Sequence, residues 1–214
     1  MTAVISLGGS FLFDKKEETY LIFKELRKIN EKFIVITGGG PIAREYIGFG
    51  KTFKLKEEEL HNIGIKCTHI NAFIIAKAFK VDYTDVDPRK IKVKNKIAVT
   101  GGYLPGWTTD TCSAYAAVST KSNVIFNISK EKGVYDKDPR KFNDVKLLKK
   151  INFEKLYTLT KGRRIPGMNF IFDPLAAKIC KRNKIAVVVT NDIKDISRYL
   201  QGKEINGTII TDNK

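Results

Sequence analysis

Short apolar runs alternate with longer amphipathic segments along the chain. Val4 to Leu7, Phe33 to Ile36, Ile97 to Val99, Val124 to Phe126, Ile185 to Val189 and Thr208 to Ile210 read as strands. Between them, residues 15–29 carry Leu21, Ile22, Leu26 and Ile29 at helical spacing, and residues 56–79 carry Leu60, Ile63, Cys67, Ile70, Ile74 and Ala78 at spacings of three or four. Pro41 is placed to open a helix, because the first turn needs no amide donor there. A further helix should begin near Thr109 or Asp110, with Ala114, Ala116 and Ala117 allowing close packing. This alternation predicts an α/β fold, a three-layer αβα sandwich around a mostly parallel central sheet. No linker or internal repeat interrupts residues 1–214, so a single domain is expected.

Composition narrows the picture without changing it. The 214 residues are 43% hydrophobic, enough for one substantial core. No run approaches the ~18 apolar residues of a membrane span, and Ala3-Val4-Ile5 leads into Gly8-Gly9 rather than a cleavage site, so a soluble, cytoplasmic protein is expected. Cys67, Cys112 and Cys180 fit no zinc spacing and are expected to be buried free thiols. The formal charge of +16 raises the question of nucleic acid. The basic clusters Arg89, Lys90, Lys92, Lys94, Lys96 and Lys146, Lys149, Lys150 read as solvated faces, and neither an RNP-like strand nor a KH-type GxxG clamp is present. No nucleic-acid or membrane partner is expected.

The chemistry lies where strands end. Leu7-Gly8-Gly9-Ser10, Thr37-Gly38-Gly39-Gly40 and Thr100-Gly101-Gly102 each follow a predicted strand. Glycine loops that open a helix expose convergent backbone donors and a partial positive charge, which suits phosphates, although any one of them could be only a tight turn. Loops after parallel strands can converge on one crevice, and neither GxGxxG nor GxxxxGK[ST] occurs. Arg44 follows the second loop and could reach a phosphate or form a surface salt bridge. Thr108, Thr109 and Asp110 could contact a ligand, cap a helix, or do both. Gly133 to Pro139 combines a tyrosine ring with carboxylates that could hold a base and ribose. His61 and His69 are too far apart on one helix to chelate an ion, and no structural metal is expected.

The order of the motifs SLGGS (6–10), TGGGPIAR (37–44), IGI (63–65), GGYLPGWTTD (101–110), GVYDKDP (133–139) and DPLAAK (173–178) resembles archaeal-type uridylate kinase, a branch of the amino-acid-kinase family, over nearly the whole chain. The resemblance implies transfer of the γ-phosphate of ATP, with Mg2+, to UMP, and a homo-hexamer built as a trimer of dimers. It implies an acceptor side in the N-terminal part and an ATP side from about residue 120. On the ATP side it marks Ser6, Leu7, Gly8, Gly9, Ser10, Gly40, Arg44, Ser129, Lys130, Tyr135 and Asp138. For UMP it marks Gly39, His61, Tyr103, Leu104, Pro105, Gly106, Trp107, Thr108 and Thr109, and for the transfer itself Lys130, Ser10 and Arg44.

Several positions depart from the family pattern. Lys130 and Lys132 stand where TNVDGVY has Asn and Asp, His61 stands for an acid, His69 for an arginine, and Ser6 for the lysine of many relatives. These changes leave open a kinase with another acceptor, or a nucleotide-binding regulator with weakened catalysis.

Overall fold

The computed structural model describes residues 1–137, 142, 144–160 and 171–212. The chain runs β1 (Thr2–Leu7), α1 (Gly9–Asp14), α2 (Lys16–Lys28), β2 (Lys32–Thr37), α3 (Gly40–Thr52), α4 (Glu57–Phe79) and β3 (Asp82–Tyr83). A 3-10 turn at Pro88–Lys90 leads to β4 (Ile97–Thr100), α5 (Thr109–Ser119) and β5 (Val124–Ile128). Then come β6 (Lys150–Ile151), α6 (Phe153–Thr160), α7 (Pro174–Arg182), β7 (Ala186–Thr190), α8 (Lys194–Leu200) and β8 (Thr208–Ile210).

The strands form one 8-stranded sheet in the order β3-β4-β2-β1-β5-β7-β8-β6. All neighbours are parallel except β7 and β8. Strand alternation sorts the core into two layers. Ala3, Ile5, Leu7, Phe33, Val35, Val124 and Phe126 face Ile22, Phe23 and Leu26 of α2 and Ala72, Ile75 and Ala76 of α4. Val4, Ile34, Ile36, Ile125, Val187 and Val189 face Cys112, Ala114, Ala116 and Ala117 of α5 and Ala176 and Cys180 of α7. Helices therefore cover both faces, and the αβα sandwich expected from the sequence is the fold. The three alanines of α5 are fully buried, which brings that helix close to the central strands.

The long helix expected over residues 56–79 is α4, but its apolar spacing does not mark the buried face: Ile70 and Ile74 are each 56% exposed, while Thr68 and Asn71 are buried. The glycine loops explain the rotation. Asn71 Nδ2 donates to the carbonyl oxygens of Gly38 (2.8 Å) and Gly39 (3.3 Å), and the Gly102 amide donates to Thr68 Oγ1 (2.6 Å). Buried polar groups that satisfy otherwise orphaned loop backbone outweigh apolar periodicity here. A second addition is α1, which occupies residues read only as a loop.

All three cysteines are free and buried. Burial pushes the Cys112 thiol up to about 12 and the Cys180 thiol up as well, which leaves both as inert packing groups.

Candidate active site

Strands β4, β2, β1 and β5 are consecutive neighbours and parallel, so the loops at their carboxyl ends meet at one edge of the sheet. The first two loops interlock through their backbones. A Cβ on Gly9 would lie 2.2 Å from the Gly40 amide nitrogen and 2.6 Å from the Gly38 oxygen. Gly40 has φ +66°, the left-handed region that glycine enters without strain. The first turns of α1 and α3 contain no acidic residue, so their unpaired amides and dipoles leave this junction electropositive. Arg44, one turn into α3, donates from both terminal nitrogens to Ser10 Oγ at 3.4 Å.

Beside the junction lies a cavity of about 290 Å³. Gly39, Gly40 and Arg44 form one wall, His61, Gly64, Ile65 and Thr68 of α4 another, and Gly102, Leu104, Trp107 and Thr109 a third. The last wall is shaped by a turn at Leu104-Pro105-Gly106-Trp107, closed by the Trp107 amide on the Leu104 oxygen at 3.0 Å with Gly106 at φ +80°. His69 secures the same loop from behind. Its Nε2 is 2.8 Å from the Gly102 carbonyl, which can only accept, so Nε2 carries a proton, and Nδ1 lies 3.1 Å from the Tyr83 hydroxyl. The cavity is thus cationic at one end and apolar with a hydroxyl at the other.

On the opposite side of the junction, the Gly8 amide donates to the Ile128 oxygen at 2.9 Å, which places Ser129 against the first loop. Lys130 pairs with Asp14 at the end of α1, and both side chains are about half exposed. The chain continues through Val134, whose amide donates to Thr208 Oγ1 (2.8 Å), to Tyr135, which bridges Leu147.

Beneath both sides sits a polar cluster. Asp110 Oδ1 accepts from Ser6 Oγ (2.7 Å) and Asn127 Nδ2 (3.4 Å), and Oδ2 accepts from the Asp173 amide (3.2 Å). Asp173 in turn caps α7 by accepting from the Leu175 and Ala176 amides. Loss of hydration in this packed position raises the Asp110 carboxyl to about 6, against the lowering effect of its donors.

Comparison with known proteins decides the family. The model of the amino acid kinase family matches residues 1–191. This chain belongs to the amino acid kinase family. Within that family it is 32% identical to a uridylate kinase of Methanobrevibacter smithii, over 99% of this chain and 100% of the relative. It is 33% identical to one of Methanocaldococcus jannaschii, over 98% and 99% of the two chains. Among solved structures, the uridylate kinase of Archaeoglobus fulgidus superposes with a TM-score of 0.82 at 29% identity, covering 99% of this chain and 100% of the other. A UMP kinase from Bacillus anthracis, at 20% identity and TM-score 0.79, covering 100% and 96%, shares the fold.

Against this kinase fold, Gly39, Gly40, Arg44, His61, Leu104, Trp107 and Thr109 of the predicted residues meet around the small cavity. Tyr103 instead lines a neighbouring groove of about 740 Å³ with His69, Phe73 and Tyr83. Pro105 and Gly106 make the turn, and Thr108 caps α5 by accepting from the Thr111 amide at 3.1 Å. Gly8, Gly9, Ser10, Ser129 and Lys130 gather across the junction, with Tyr135 farther along the same loop. Ser6 is buried with its hydroxyl committed to Asp110, and the Leu7 side chain lies in the core, so these two could offer a nucleotide only backbone. Asp138 lies outside the described residues. Sequence reading singled out Asp173 only as the start of the DPLAAK motif and missed Thr68, Asn71 and Asn127. A polar residue inside an apolar strand, as in Val124-Ile125-Phe126-Asn127-Ile128, was the available signal.

Proposed function

We propose that this chain is a uridylate kinase that moves the γ-phosphate of ATP onto the phosphate of UMP, giving UDP for pyrimidine nucleotide synthesis. The observation that carries this reading is the cavity with Gly39, Gly40 and Arg44 at one end and Leu104, Trp107 and Thr109 at the other. A nucleoside monophosphate matches that polarity, its phosphate at the amides and guanidinium and its base against the loop. The full-length likeness to archaeal uridylate kinases supports the same acceptor.

Direct in-line transfer needs no protein nucleophile, so positioned amides and cations can supply the stabilisation as charge spreads over the moving phosphoryl group. Gly9, Ser10 and Gly40 sit where donor and acceptor phosphates would meet. Arg44 would hold phosphate oxygens with its fork, Lys130 would leave Asp14 for the ATP phosphates, and His61 would face the acceptor ribose. Magnesium would arrive with ATP. Among the described residues no group of three or more His, Cys, Asp or Glu side chains could hold an ion, and Asp110 and Asp173 are engaged by N–H and O–H donors, so the donor set fits a metal carried by the nucleotide.

In this reading residues 1–214 work as one domain, with the acceptor held by the N-terminal part and ATP by the part after about residue 120. Exposed Phe49 of α3, Phe53 just past it, and Ile70, Phe73 and Ile74 of α4 support assembly of copies, for which we infer a hexamer made of dimers. No helix among the described residues is long and apolar enough to cross a membrane, and we infer that the enzyme works in the cytoplasm.

The test is an assay with Mg-ATP and UMP, CMP or AMP offered separately, with products separated by chromatography. Selective UDP formation is expected. Turnover on a different acceptor, or UMP binding without turnover, would overturn the reading, and the lysines at 130 and 132 would then point to a weakened regulatory relative.

A further inference from the structure

Arg89 lies outside every glycine loop, on the 3-10 turn Pro88–Lys90. Both oxygens of the buried Asp87 carboxylate grip it. Oδ1 accepts from the Arg89 amide and from Nε, each at 2.9 Å, and Oδ2 accepts from Nη2 at 2.6 Å. Ser119 Oγ of α5 donates to the Pro88 oxygen at 2.9 Å and fixes the turn to that helix. The guanidinium so held lies over the Trp107 ring, 5.3 Å from its centroid. The same indole stacks on Tyr115 of α5, with centroids 4.4 Å apart and planes at 24°.

Trp107 packs against the second core layer but is only partly buried and sits on a loop, so its exposed face depends on other contacts. An ion pair whose arginine is half exposed contributes little stability by itself. What the bidentate grip supplies is orientation, a flat cation held over the indole that forms one wall of the cavity. Neither Tyr115 nor Arg89 lines that cavity, whereas Trp107 does. They therefore act on it only through the indole.

We propose that Asp87 and Arg89 are positioning residues that hold Trp107 as a fixed wall of the acceptor cavity, so that Trp107 limits the size of the acceptor base and favours a pyrimidine over a purine. This inference rests on the uridylate reading of that cavity.

Trp107 is the one tryptophan in the chain, so its fluorescence reports the wall directly. The experiment compares wild type with R89M, R89K and D87N, by steady-state kinetics with UMP and AMP and by acrylamide quenching with and without UMP. For R89M the expected result is a UMP KM raised about three- to tenfold, with kcat and the ATP KM within about twofold, and freer quenching of Trp107. The preference for UMP over AMP should narrow. R89K, which keeps the charge but not the fork, should fall between, and D87N should resemble R89M while retaining the arginine. Wild type that responds to UMP, with variants unchanged in KM and quenching, overturns the proposal alone. A loss of kcat and of ATP affinity equal to the loss of UMP affinity also overturns it, as general structural damage. Wild type with neither UDP formation nor a Trp107 response to UMP overturns the uridylate reading and the proposal with it.

Discussion

The two sides of the glycine junction are built differently. The proposed acceptor side is fixed by buried contacts to backbone, with Gly9 against Gly38 and Gly40, Asn71 on the second loop, and Thr68 and His69 on the third. The proposed donor side past Ser129 combines an exposed link, the Lys130–Asp14 pair, with a buried one, the Val134 amide on Thr208 Oγ1. A small acceptor is recognised by the shape of a preformed cavity, whereas a polyphosphate can be gathered by cations that move to meet it.

This contrast can be broken at its strongest point first. Gly9→Ala puts a methyl group 2.2 Å from the Gly40 nitrogen, where no side chain can yield. UDP formation should fall by at least about a hundredfold, since displacement of the junction misaligns both phosphates. Circular dichroism melts would show whether the fold also suffers. Arg44→Met should lower kcat/KM for UMP by about a hundredfold while the melting temperature barely moves, because the side chain is exposed and its hydrogen bonds run to Ser10 at 3.4 Å. Equal activity in this variant would move the phosphate elsewhere.

Asp110 tests the link between the sides. Its folded carboxyl titrates near 6 and its unfolded one near 3.8, so the folded state binds the proton more tightly. The group therefore adds stability when protonated, and that contribution is lost as pH rises from about 4 to about 6. Activity should run the other way. Protonation removes one acceptor from the Ser6, Asn127 and Asp173 donors, so the rate profile should carry an acid limb near pH 6. Asp110→Asn should lose that limb and cost about tenfold at pH 7.5, since an amide opposes one of the donors. The mildest change is Lys130→Met, which should raise the ATP KM a few-fold, about what one solvent-exposed charge contributes, and leave the UMP KM unaltered. An equal effect on both substrates would erase the distinction between the two sides.

Much of the fold was legible because the longer strands are apolar and end in glycine, as β1, β2 and β4 do. Strands β3 and β6 escaped because two residues carry no periodicity. The three phosphate-type loops were legible as local strings, and so was Arg44. The Asp110 cluster was not, because Ser6, Asp110, Asn127 and Asp173 come from four separate stretches and meet only after the sheet forms. Arg89 read as one charge in a solvated run. Its ion pair is local, but the ring above it lies on another loop, and no spacing rule joins residues 89 and 107. In α4 the apolar stripe pointed to the wrong face, since periodicity cannot register the backbone donors and acceptors a buried Thr or Asn will meet.

The reversed strand β8 has a bearing on biogenesis. Thr208 pairs with Val189 at the carboxyl end of β7, and its hydroxyl accepts from the Val134 amide and donates to the Leu148 oxygen at 2.6 Å. Residue 208 leaves the ribosome long after 134. The N-terminal strands and their interlocked glycines can assemble during synthesis, but the Gly133–Tyr135 segment gains this support only once β8 has been made. In the proposed reading, a nascent chain would thus have its acceptor loops in place before it could steady ATP, and premature termination before β8 would favour holding a nucleoside monophosphate over phosphorylating it.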